Sequence, residues 1–135
     1  MKPYFKALTK TMGKDEALWK FGLPTYDFGS DKITGITDGK AYFPILPETL
    51  CQTTGRLDKN GKDVFEKDRL KFVHNVGKQK IEEVLTVYYN ANAGQYVVGK
   101  SDCLLPLAMY KTEEGEVIGN ENDDLFIKPK KEKKK

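Results

Sequence analysis

The chain is poor in the residues that most catalytic and structural-metal sites need. It has one histidine, His74, two cysteines, Cys51 and Cys103, and two serines, Ser30 and Ser101. A zinc site wants three or four His, Cys or acidic ligands in set spacings, and one histidine cannot supply them. Both serines sit in turn contexts, Gly29-Ser30-Asp31 and Lys100-Ser101-Asp102, with no histidine–acid pair beside them. G-x-G-x-x-G does not occur, and the one G-x-x-x-x-G-K-[ST] string, Gly94 to Ser101, has its interior on the strand expected at Gln95–Val98 rather than on a loop that opens a helix, so it does not mark a phosphate-cradling loop. Two cysteines make no disulfide framework and read as small hydrophobes. No apolar run approaches the ~20 residues of a membrane helix, and the opening Met1-Lys2-Pro3-Tyr4-Phe5 has no apolar signal-peptide core. The expectation is a non-enzymatic, soluble protein of a reducing cytoplasm, without cofactor or metal.

Charge is abundant but unevenly placed. The net charge of 135 residues is +3, yet the last eight, Lys128 to Lys135, carry six lysines and one glutamate. Residues 1–127 are therefore near −2, and no basic nucleic-acid face is indicated there. The lysine block, Lys128, Lys130, Lys131, Lys133, Lys134 and Lys135, offers nothing to bury and reads as a disordered tail. Its one functional reading is weak, salt-sensitive contact with nucleic acid or an acidic partner. Residues 1–127 are long enough for one domain and too short for two ordinary ones.

Twelve glycines punctuate short apolar runs along the chain. This spacing predicts a mainly β protein, a small barrel or sandwich. Strands are expected at Tyr4–Leu8, Leu18–Leu23, Lys32–Ile36, Ala41–Phe43, Val64–Phe65, Arg69–Val73, Glu83–Tyr89 and Gln95–Val98. Asn90-Ala91-Asn92-Ala93-Gly94 is the loop of a hairpin between the last two. Tyr26–Ser30 reads as a loop, and Pro47-Glu48-Thr49-Leu50 as one helical turn opened by proline. Leu104–Tyr110, broken by Pro106, reads as a short helical or irregular segment. The aromatics cluster in the strands. Most should fill a core, Trp19 first among them. Tyr88 and Tyr89 are neighbours, so one faces out; with Tyr96 they form the candidate interface.

The most informative stretch is Gln52 to Phe72. Asp58-Lys59-Asn60-Gly61 is a turn before strand-like Val64-Phe65, and Asn-Gly tolerates φ > 0 at both central positions. Thr54, Gly55, Asp58, Asn60, Gly61, Glu66 and Asp68 all read as structural. Glu66 and Asp68, two apart, would share one face on an extended chain. His74 reads as a surface residue at a strand end.

This stretch resembles the YopX family of phage and prophage proteins, whose core reads roughly Q-x-T-G-L-x-D-x-N-G-x-x-I-[YF]-E-G-D-[IV]-[VL]. Tyr4-Phe5-Lys6-Ala7, Trp19-Lys20-Phe21-Gly22, Ile45 to Gly55, and Glu116-Val117-Ile118-Gly119-Asn120 with Asp123-Asp124-Leu125-Phe126 extend the resemblance over residues 4–126. It implies a small mainly β domain with SH3-like barrel character, short strands and irregular segments. It also implies an accessory protein that binds another protein, a host factor or itself, and a homo-oligomer is expected. A nucleic-acid-binding accessory, using barrel aromatics and the tail, is the alternative. Three positions depart from the pattern: Cys51 for a glycine, Lys67 for the glycine of Glu-Gly-Asp, and Arg69 in a hydrophobic pair. If that glycine needs φ > 0, Lys67 costs roughly 1 kcal/mol or changes the turn.

Overall fold

The computed structural model describes residues 4–9, 17–100 and 103–123. The Lys128–Lys135 tail, Asp124, Leu125 and Phe126 lie outside the described residues. Among those described there are eleven β-strands, short 3₁₀ turns and no α-helix. None of the helical segments is long and apolar enough to cross a membrane.

The strands are β1 (Phe5–Leu8), β2 (Trp19–Tyr26), β3 (Ile33–Thr37), β4 (Tyr42–Pro44), β5 (Cys51–Leu57), β6 (Asp63–Phe65), β7 (Asp68–Val76), β8 (Gln79–Asn90), β9 (Gln95–Lys100), β10 (Cys103–Pro106) and β11 (Glu116–Asn120). They make two antiparallel sheets, ordered β4-β3-β2-β1-β5-β6 and β10-β9-β8-β7-β11. The mainly β expectation holds. The barrel does not close: in neither sheet do the first and last strands pair among the described residues. The end strands are short or interrupted: β4 and β6 have three residues each, and β10 ends on Pro106.

The chain clusters into two compact units that meet in sequence between Thr53 and Thr54, inside β5. In the first, Ala7, Ile36 and Ile45 are buried together, with Phe5, Ile33, Phe43 and Leu50 against them. Trp19 is not in this core; it is half-buried. The reason is register: Trp19 pairs with Leu8, and β2 alternates half-buried and exposed residues, so no part of it is enclosed. Buried Thr49 closes the 3₁₀ turn Pro47–Thr49 with its hydroxyl, donating to the Leu46 carbonyl at 2.7 Å and accepting the Leu8 N–H at 2.9 Å.

In the second unit the core is Val64, Leu70, Phe72, Leu85, Val87, Val98 and Leu107. Leu70 and Phe72 alternate inward along β7, as Leu85 and Val87 do along β8. The predicted β8–β9 hairpin is present, and the Asn90 side-chain oxygen accepts the N–H groups of Asn92 and Ala93 in its loop. β7 and β8 run further than expected, to a tight turn at Gly77-Lys78 with Gly77 at φ 65°.

β5, β10 and β11 are strands that the residue pattern did not announce. β5 and β6 form a hairpin whose loop is Lys59-Asn60-Gly61: Gly61 N–H donates to the Asp58 carbonyl at 3.0 Å, and Asp58 N–H to Lys62 at 2.8 Å. That is a turn followed by one left-handed glycine, and it corrects the two-residue Asn-Gly reading. Gly61 has φ 80°, whereas Asn60 is not among the positive-φ residues. Tyr26 belongs to β2, so the loop after it is shorter than expected, and Phe28 there is fully exposed.

Gly61→Ala should therefore cost about 1 kcal/mol through its left-handed backbone, while Asn60→Ala should stay within ~0.5 kcal/mol. Chemical denaturation of the two variants checks this; equal losses would contradict the loop geometry.

Candidate functional site

The signature residues meet, but in backbone support. Asp58 is buried. Its Oδ1 accepts the N–H groups of Asn60 (2.8 Å) and Lys62 (2.9 Å), and its Oδ2 accepts Val117 N–H (3.0 Å) from β11. Burial works to raise its pKa, but the N–H groups of Val117, Lys62 and Asn60 outweigh it and hold it below the ordinary Asp value. Asp68 is also buried. Its Oδ2 accepts Phe65 N–H at 2.8 Å and its Oδ1 accepts the Asn120 amide at 2.7 Å. Thr54 donates its hydroxyl to the Val64 carbonyl at 2.8 Å and accepts Arg56 N–H at 3.2 Å, spanning the kink at Gly55, whose φ is 82°.

Glu66 and Asp68 do not share a face. Glu66 and Lys67 are a turn between β6 and β7, and Lys67 has φ 70°, so of the two outcomes weighed for this position the turn keeps the left-handed one. The turn backbone is held from three sides: Lys67 N–H donates to Val87, Glu121 N–H donates to the Lys67 carbonyl at 2.8 Å, and the Asn120 amide donates to the Glu66 carbonyl at 3.3 Å. The fold overdetermines this conformation, so the side chain at 67 accepts it at a cost.

The candidate interface tyrosines are split. Tyr89 is exposed and Tyr96 half-buried; they pair across β8 and β9 and their rings meet edge-on at 5.0 Å. Tyr88 lies half-buried on the opposite face. Burial, then Glu66, then Tyr89 push the Tyr96 phenol up to about 12, so it stays protonated at neutral pH. His74 pairs with Glu83 at 3.2 Å and stacks on Phe72. Cys51 is buried, its thiol donating to the Thr49 carbonyl at 3.4 Å, and Cys103 is exposed; neither is in a disulfide.

A concavity lies elsewhere, in the first unit. A groove of about 550 Å³ is lined by Tyr4, Trp19, Lys20, Phe21, Gly22, Leu23, Thr37, Asp38, Gly39 and Phe43. β2 supplies its centre. Tyr4, Phe21 and Leu23 are exposed, while Trp19 and Phe43 are half-buried. Gly22 is there for space: a Cβ would stand 2.1 Å from the Thr37 carbonyl oxygen. The Lys20 ammonium lies 4.5 Å from the Phe43 ring centre, and that of Lys6 4.5 Å from Trp19. Asp38 is fully exposed, and the N–H groups of Lys40 (2.8 Å) and then Ala41 (3.0 Å) hold its carboxyl below the ordinary value. The groove thus joins four aromatic faces to one fixed negative and one fixed positive charge, and its lining includes no histidine, serine or cysteine. Sequence reasoning missed it because strand aromatics were assigned to a core. The signal was Trp19-Lys20-Phe21, which places two aromatics on one strand face around a lysine.

A family model described as "YopX protein" matches residues 8–125, and the chain belongs to the YopX family. No curated protein and no solved structure matches it.

Two variants test the signature. Lys67→Gly should raise stability by roughly 0.5–1 kcal/mol, the relief of left-handed strain less the entropy glycine gains when unfolded. Asp58 has a lowered folded pKa, so its stabilisation is present above the unfolded value and is lost as pH falls through the folded one. Asp58→Asn should cost about 2–3 kcal/mol at pH 7 and flatten the acid side of the stability–pH curve below pH ~4. Thermal melts from pH 2 to 7 read both.

Proposed function

We propose that this chain is a phage- or prophage-encoded accessory protein, non-enzymatic, acting in the host cytoplasm by binding another protein. The groove around Trp19 carries this reading. Tyr4, Phe21 and Leu23 offer apolar surface to solvent, beside half-buried Trp19 and Phe43. Large aromatic anchors framed by a few fixed charges are what protein-binding hot spots are made of. The signature carboxylates support binding over catalysis, since Asp58 and Asp68 spend their oxygens on backbone and amide donors.

The alternative is a nucleic-acid-binding accessory that uses aromatics and the basic tail at Lys128–Lys135. The groove's Lys20 ammonium already lies on the Phe43 ring, and Asp38 adds a carboxylate that phosphate would meet, which favours the protein partner. The finer fold reading belongs to the same proposal. In the second unit β7, β8, β9 and β10 follow one another, and β11 returns to β7 after two 3₁₀ turns. That order supports an SH3-like roll.

The test compares capture from host lysate on wild-type and Phe21→Ala columns, with DNA and RNA retention measured across salt. A protein held by the wild type should lose roughly 30-fold in affinity on Phe21→Ala, the scale of an aromatic anchor worth about 2 kcal/mol. Salt-sensitive retention of nucleic acid with no groove-dependent protein capture would overturn the proposal in favour of the alternative.

A further inference from the structure

β7 and β8 outrun the strands beside them. Among the described residues, β11 reaches β7 only as far as Lys71, and β9 reaches β8 only from Thr86. Between these limits the two strands continue as a ribbon to the Gly77-Lys78 turn. Val73, Val76, Ile81 and Val84 are exposed on it. Such a ribbon offers a strand edge, the feature through which chains add strands to one another.

The hydrogen-bond phase of that edge follows from the turn. A two-residue loop joins Val76 to Gln79, which makes them a hydrogen-bonded pair. Bonded and non-bonded pairs then alternate, so the backbone groups of Lys80, Glu82 and Val84 point away from β7. Two copies meeting antiparallel about a two-fold axis must match these outward residues with one another. Five registers do so, but the two that set Val84 opposite Glu82 or opposite itself carry Lys80 of one copy against Thr86 or Tyr88 of the other, where β9 already holds the edge, and three remain. One sets Glu82 opposite Glu82 and another Lys80 opposite Lys80, like charges that oppose pairing. The third sets Lys80 opposite Glu82 twice, with Ile81 facing Ile81 between them at a close non-bonded position.

We propose that two copies of this chain associate through the outer edge of β8 in that third register, Lys80 against Glu82 on both sides of an Ile81–Ile81 contact. The edge is self-complementary in charge, in apolar content and in backbone phase, which favours a second copy over an unrelated strand. Glu82 already pairs with Lys71 at 3.4 Å, so in the dimer it stands between two ammoniums. This goes beyond the binding function proposed above, whose groove is built on other strands.

Analytical ultracentrifugation of the full chain at high micromolar concentration tests it. The wild type should sediment at twice the chain mass. Lys80→Glu and Glu82→Lys should each be monomeric with melting temperatures close to wild type. An equimolar mixture of the two variants should return to dimer, because each acidic edge then faces a basic one. The doubly exchanged chain carrying both changes should dimerise alone. A monomeric wild type would overturn the proposal and leave the edge to another protein's strand. A dimer untouched by either single change, or a mixture that stays monomeric, would overturn it equally.

Discussion

β11 arrives beside β7 from far along the chain, and the hydrogen bond from the Asn120 amide to the buried Asp68 carboxylate, 52 positions apart in sequence, fastens it there. A carboxylate this deep is tolerated only when its oxygens are met by donors. Phe65 N–H meets the other oxygen, so the acid that fixes the strand also fixes the turn before it. Asn120 is itself oriented: its N–H donates to Asp123 at 2.9 Å and its side-chain oxygen accepts Asn122 N–H at 2.9 Å. The turn, the strand and the 3₁₀ turn Glu121–Asp123 therefore form one unit of polar support. Lys67 is its by-product, since a backbone gripped by Val87 and Glu121 has no freedom to relax. Asp58 repeats the device one turn earlier, joining the β5–β6 loop to Val117.

How much of this was legible depends on the length of the interaction. The strands with local alternation, β7, β8 and β9, were readable, as were the Asn90–Gly94 loop and the Pro47 turn, because their causes lie within a few residues. β5 was not. Cys51-Gln52-Thr53-Thr54-Gly55-Arg56-Leu57 is polar and holds a left-handed glycine, and its pairing is supplied by β1 and β6. The family pattern raised a left-handed residue at 67 only as a condition, which φ 70° there meets, whereas the one assigned to Asn60 was misplaced. Asn-Gly favours a two-residue loop in isolation, but the Asp58 carboxylate captures both Asn60 and Lys62 N–H groups and selects a longer one.

The groove shows a different limit. Aromatic content says how much apolar surface a chain owns, not which of it faces inward. On β2 both faces stay partly open, and only pairing partners decide what each covers. The motif that named the family and the concavity proposed to bind are thus separate in kind: the former consists of polar atoms satisfied internally, the latter of apolar faces left to solvent. Family recognition found the scaffold's fasteners and left the contact surface to geometry.

Gly22 bears on how such a surface can change over generations. Any side chain there would collide with the Thr37 carbonyl, a backbone atom that cannot swing aside. The exposed positions on either side, Phe21 and Leu23, face no such obstruction. One locus is closed to substitution while its immediate neighbours are open, so the rim of this groove can be rebuilt around a fixed glycine with the pairing of β2 and β3 left intact.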